Sequence, residues 1–177
     1  MRRTLLPIFA ATGIAICGFA ADASFSLASA HTPKPELAKP VTQGVNHIGL
    51  TVRDLDASVS FFIDGLGWKK VGGVPDYPSV FVTDGKLFVT LWRATDPDKA
   101  IPFDRKNNVG LHHLALTVAD IETLDAVHER MKTFPGVKIE FGPEPNGGGP
   151  AIHMMVYEPS GNRIELAVPG GRSRSAK

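Results

Sequence analysis

Between residues 45 and 52 apolar and polar side chains alternate. Ile48, Leu50 and Val52 fall on one side, and His47, Gly49 and Thr51 on the other. A period of two marks a half-buried strand. Asp54 follows as a helix cap, and the spacing of Leu55, Val59 and Phe62 predicts a helix to about Asp64, ended by Gly65 and Gly67. The pattern then returns. Residues 113–122 (HLALTVADIE) repeat residues 47–56 (HIGLTVRDLD), with His47/His113, Leu50/Leu116, Thr51/Thr117, Val52/Val118 and Asp54/Asp120 identical. In the second copy Leu114, Leu116 and Val118 share one face, His113, Ala115 and Thr117 the other. Asp120 is predicted to cap a helix through about Phe134. Two copies make a paired supersecondary unit, since a solenoid needs at least three. A histidine opens each copy, on the face turned away from that copy's own helix. If the copies pack around a pseudo-twofold, the two imidazoles can converge on one point.

Each copy ends in further strands. Residues 80–83 and 87–92 flank Asp84-Gly85, a strong hairpin signal. Residues 151–157 and 163–168 flank the turn at residues 159–162. Parity sends Ile164, Leu166 and Val168 to the helix side and Glu165 to the histidine side. A carboxylate inside an apolar strand is costly to bury unless it is paired or bound to a metal. His47, His113 and Glu165 therefore form a candidate metal-ligand set of two imidazoles and one carboxylate. That set suits a divalent first-row metal with vacant positions: Fe2+ or Mn2+ by preference, with Zn2+, Ni2+ or Co2+ as alternatives. His112 has the opposite parity and is read as a non-ligand.

His153 shares a face with Met155 and Tyr157 on the strand beside Glu165. It is the candidate proton shuttle or donor to a substrate oxygen, with Tyr157 as a second catalytic candidate. Both residues also suit plain filling of a cup wall. Arg163 has two readings, support for Glu165 or exposure at a strand start. Phe88 and Trp92 share the face of Thr90 and can line an apolar pocket. Residues 142–150 (GPEPNGGGP) read as a flexible loop placed to act as a lid; residues 102–110, carrying Asp104, Arg105 and Lys106, read as a simple connector, with a border to the cup as the alternative.

The 177 residues carry a formal charge of +1, so nothing favours nucleic acid. Arg2 and Arg3, an apolar stretch over residues 5–20 and Ala28-Ser29-Ala30 read as a signal peptide over residues 1–30, with an uncleaved anchor as the alternative. The one cysteine, Cys17, lies inside it. The mature protein would hold no thiol, which suits a periplasmic or secreted location. After cleavage no membrane association is expected. Residues 31–44 read as a linker, residues 45–169 as one domain (copies at 45–93 and 111–168) and residues 170–177 as a flexible tail.

The motifs together resemble the vicinal oxygen chelate superfamily of glyoxalases, bleomycin-binding proteins and extradiol dioxygenases. Residues 46–52 and 112–118 resemble the opening strand of its modules, residues 54–67 its first helix and exit, and residues 158–166 its final hairpin. The resemblance spans nearly all of residues 45–169. It implies an α+β fold of two βαβββ modules related by a pseudo-twofold, their sheets curled around a metal-binding cup. It also implies His47, His113 and Glu165 at the ligand positions. Thr90 stands where glyoxalases and epimerases of the family place a fourth, carboxylate or amide, ligand. Its poor donor character points toward the three-ligand members, the dioxygenases and the fosfomycin-resistance transferases.

The expected function is thus an exported, divalent-metal-dependent enzyme acting on a small molecule that chelates the metal through vicinal oxygens, with dioxygenase-like chemistry preferred. A glyoxalase-like lyase or isomerase and a non-catalytic sequestering protein are the alternatives. The two modules can pair within one chain or between subunits of a homodimer.

Overall fold

The computed structural model of the protein describes residues 40–170. The expected leader, most of the linker and nearly all of the tail lie outside the described residues. Among the described residues, no helix is long and apolar enough to cross a membrane.

The first module begins with β1 (His47–Val52), whose Leu50 and Val52 are buried while His47, Gly49 and Thr51 are exposed. Asp54 caps α1 (Leu55–Ser60), its carboxylate accepting from the Ala57 N–H at 2.9 Å. The expected helix continues to Gly65, but its last turn, Phe61–Gly65, is π-helical. A single α-helical stripe could bury Phe62 but not its neighbour as well. The wider π turn buries both Phe61 and Phe62, with their rings edge to face at 5.2 Å. β2 (Lys69–Gly72), β3 (Ser79–Thr83) and β4 (Phe88–Arg93) follow, giving the sheet order β1-β4-β3-β2 with β1 and β4 parallel. The predicted hairpin joins β3 to β4. Gly85 supplies the positive φ of +93° and Asp84 Oδ1 accepts from the N–H of Lys86 and Leu87.

The second module repeats this order: β5 (Leu114–Thr117), α2 (Ile121–Met131), β6 (Lys138–Pro145), β7 (Ile152–Tyr157) and β8 (Arg163–Val168), arranged β5-β8-β7-β6. Asp120 caps α2 through the Thr123 N–H at 2.8 Å. The helix stops at Met131, short of the expected Phe134. β6 also corrects the sequence reading, because it runs through residues 142–145, which were expected to be loop. It is an edge strand, so the missing N–H groups of Pro143 and Pro145 cost no ladder bond. Gly142 sits where a Cβ would lie 3.0 Å from the His128 ring.

The protein is therefore α+β, with two open four-stranded sheets in βαβββ order. Their helix sides share one core. Leu50, Phe61 and Leu91 of the first module and Leu124, Met131 and Ile164 of the second belong to it. The Phe61 and Phe134 rings meet edge to face at 6.3 Å, and Arg130 Nη1 donates to the Gly65 carbonyl at 2.8 Å. Gly65 suits this approach, since a Cβ there would lie 3.1 Å from the Met131 side chain and 3.3 Å from the Phe134 ring, and both would have to shift slightly. The β7–β8 turn crosses to the first module. Ser58 Oγ donates to Glu158 Oε2 at 2.6 Å, Ser160 Oγ accepts from the N–H of Arg53 and Asp54, and Asn162 Nδ2 donates to the Thr51 carbonyl. Glu158 is only 1% exposed, and its other oxygen accepts from the Asn162 N–H and Nδ2. With the helix sides joined in this way, the histidine-bearing faces are turned away from the common core.

Candidate metal centre

The β8 register places Glu165 between Ala115 of β5 and Met155 of β7, on the face away from the core. Its buried carboxylate is held from both sides. His113 Nε2 lies 2.9 Å from Oε2, and His153 Nδ1 lies 2.6 Å from Oε1. The Phe141 ring packs 5.0 Å from the His153 ring. Three of the residues expected at the site are thus in direct contact. Strand alternation had placed them on one face, and the register makes His113 and His153 diagonal neighbours of Glu165, each two residues from the position opposite it.

His112 was read as a non-ligand of opposite parity, but it joins this group: its Nδ1 is 2.8 Å from His113 Nδ1. It lies two residues before β5, one further out than His113. Its imidazole is held below the ordinary histidine range by lost solvation first, then by the Arg163 guanidinium, His113 and Arg105, with Glu140 opposing. The ring is neutral at pH 7 and can accept a proton on one nitrogen.

Arg163 follows neither of its expected readings. It is 8% exposed and grips Glu140, not Glu165, through Nε at 2.6 Å and Nη2 at 3.2 Å. Arg105 Nη2 adds a third bond to Glu140 at 2.9 Å. The Glu140 carboxyl is held below the ordinary range by the Arg163 bond first; burial opposes, and a Tyr157 bond adds to the lowering. Tyr157 lies opposite Arg163 in the β7–β8 register, with Lys138 Nζ 5.9 Å from its ring centroid. Residues 102–110 are more than a connector, since Arg105 fastens them to the second module. No periodicity marks an arginine's partner in such a segment, so the pairing of Arg105 with Glu140 was not foreseen.

His47 stands apart. Its Nδ1 lies 2.7 Å from Asn46 Oδ1, and it makes no hydrogen bond or ion pair with His113, His153 or Glu165. It opens onto a hollow of about 500 Å³ lined by Phe81, Lys86, Phe88, Thr90 and Trp92. The aromatic lining expected of Phe88 and Trp92 is present there. Thr90 Oγ1 is already engaged, accepting from Trp92 Nε1 at 2.9 Å and donating to the Ile48 carbonyl at 3.4 Å. Among the described residues, no three His, Cys, Asp or Glu side chains are grouped to hold a metal ion. The donor chemistry suits a divalent first-row ion, but one chain presents it as two parts: His47 on the first module, and His113 with Glu165 on the second.

Two βαβββ modules, each opened by a histidine, with a glutamate on the final strand of the second and Thr90 on that of the first, define a vicinal oxygen chelate fold. The chain belongs to the Glyoxalase/Bleomycin resistance protein/Dioxygenase superfamily, whose family model matches residues 44–166. It is similar to a 2-epi-5-epi-valiolone epimerase of Actinomyces sp, 31% identical over 156 residues that cover 75% of this chain and 83% of the relative. It is also similar to a Synechocystis protein named "Probable lactoylglutathione lyase", 33% identical over 130 residues (68% and 91%). In fold it resembles a mutant of the fosfomycin resistance protein FosX from Listeria monocytogenes, solved with Mn(II) and 1S,2S-dihydroxypropylphosphonic acid. That structure is 20% identical with a TM-score of 0.59, covering 73% of this chain and 95% of FosX.

Proposed function

We propose that the protein is a divalent-metal-dependent enzyme acting on a small molecule that presents two adjacent oxygens to the metal. The observation that carries this reading is the Glu165 carboxylate held between His113 and His153 on the open face. His113, Glu165 and His47 would be the ligands, with Fe2+ or Mn2+ preferred. When bound, the ion supplies a Lewis acid that stabilises an enolate- or catecholate-like substrate. The bond from His153 Nδ1 to Glu165 fixes that ring and leaves Nε2 as the proton-accepting or proton-donating atom. Phe81, Phe88 and Trp92 would receive the apolar part of the substrate. Tyr157, on the same strand as His153 and opposite Arg163, would be the second, weaker polar candidate.

The ligand set would be completed by a second copy of the chain, whose first module brings its His47 to the second module of its partner. The outward-turned faces support this, as do the exposed apolar side chains Val45, Phe88 and Leu111 near the strand openings.

Two reaction classes begin from the same chelate. Dioxygenase-like oxidation would use O2 as the oxidant and a redox-active ion. Lyase or isomerase chemistry would use His153 to move a substrate proton, and the names of the two curated relatives favour it. Elemental analysis of purified protein, beside His113→Ala, tests the common ground. Stoichiometric metal lost in the variant is expected, and its absence from both samples would sink the enzyme reading. Oxygen uptake on catechols and deuterium exchange into vicinal hydroxyketones then separate the two classes. We further propose export, with His31 as the mature N-terminus. N-terminal sequencing of secreted or periplasmic material would reveal an intact Met1 if that is wrong.

A further inference from the structure

Both strand-opening histidines are held by the residue just before them. Asn46 Oδ1 lies 2.7 Å from His47 Nδ1, and His112 Nδ1 lies 2.8 Å from His113 Nδ1. The residues differ, but the repeat position and the ring atom they reach are the same. An amide oxygen only accepts, so His47 Nδ1 carries the hydrogen and His47 Nε2 carries the lone pair. On the second module Nε2 is likewise the atom aimed at the other candidate ligand, since it faces Glu165 Oε2 at 2.9 Å.

We propose that Asn46 and His112 are positioning residues, each taking the Nδ1–H of the following histidine so that Nε2 is the atom presented to a divalent cation. This rests on the metal reading above. It also accounts for the difference between them. Without a cation, His113 Nε2–H faces the Glu165 carboxylate, so His113 Nδ1 must accept and its partner must donate. With a cation on Nε2, the hydrogen sits on Nδ1 and the same partner must accept. An imidazole nitrogen fills either role at one position by changing tautomer. His47 faces no carboxylate, needs only an acceptor in both states, and has an amide oxygen.

Outer partners of ligand histidines typically change metal affinity by about 10- to 100-fold. The test is Mn2+ titration of the full chain, reading free Mn2+ by electron paramagnetic resonance. Asn46→Ala and His112→Ala are expected to bind Mn2+ about 10- to 100-fold more weakly, and Asn46→Asp and His112→Asn within about threefold of the parent. A second readout needs no metal. Long-range 1H–15N spectra of the metal-free protein should show His47 protonated on Nδ1, and moved toward the Nε2–H tautomer in Asn46→Ala. Unchanged Mn2+ affinity in both alanine variants, beside loss in His113→Ala, overturns this inference alone. So does an Nε2–H tautomer at His47 in the parent. No Mn2+ binding by the parent, or undiminished binding by His113→Ala, overturns the metal reading and this inference with it.

Discussion

The two modules share strand order, caps and an opening histidine, yet they carry very different loads. The second concentrates ionisable groups on its open face. Glu165 lies between two histidines, and Glu140 lies between two arginines. The first carries a single histidine beside an amide, above a hollow in which Phe81, Phe88 and Trp92 predominate, with Trp92 bonded to the hydroxyl at the fourth-ligand position. The same frame thus carries ionisable groups on one open face and a mainly aromatic hollow on the other. Under the proposed function, a single chain would hold two complementary parts of one site.

The sharpest way to break that comparison is to disable one part in each of two preparations. His47→Ala and His113→Ala are each expected to lose metal and activity entirely. Mixed and re-equilibrated, they should recover about a quarter of the parent's sites, because half the dimers are mixed and each mixed dimer has one intact pair. No recovery would mean that the parts close within one chain.

The turns differ as well. The first module's hairpin closes on its own Asp84, whereas the second sends buried Glu158 to Ser58 across the module boundary. Glu158→Ala strands Ser58 and Asn162 and should cost about 3 kcal/mol in urea unfolding; Asp84→Ala should cost clearly less. Equal losses would mean that the second turn is no more a clasp than the first.

Glu140→Gln removes the charge between Arg163 and Arg105, at a cost of about 2 kcal/mol near pH 7. The folded carboxyl titrates below its ordinary value of 4.5, so its contribution is present above that value and fades as pH falls through the lowered one. The stability gap between parent and variant should therefore narrow on acidification, and a gap that widens would contradict the pairing. The smallest effect belongs to Trp92→Phe, which takes one N–H from Thr90 and should cost about 1 kcal/mol in thermal unfolding.

Much of this could be read in the sequence, because strand parity is a strong constraint. One repeat and one alternation were enough to place His113, Glu165 and His153 on a common face. Parity says nothing of contacts between neighbouring side chains, so the bond between the His112 and His113 rings was not foreseen. Nor does it reach a connecting segment, where Arg105 gains its role only through the fold. The π turn at Phe61–Gly65 needed knowledge of what Phe61 packs against, the Phe134 ring of the other module. The β6 extension was hidden by prolines that usually signal a loop and are tolerated here only because the strand is outermost.

Those prolines have a consequence for how the protein behaves when crowded. Four strand edges end the two sheets, and a bare edge invites another chain to add to it. At β6, Pro143 and Pro145 have no amide hydrogens to offer, and at β2 the lysines Lys69 and Lys70 place charge along the border. Both outer margins thus resist fibril-like growth. The remaining edges, β1 and β5, are the ones that begin beside His47 and His113, so any recruitment of a neighbouring chain is channelled toward the site and away from open-ended stacking.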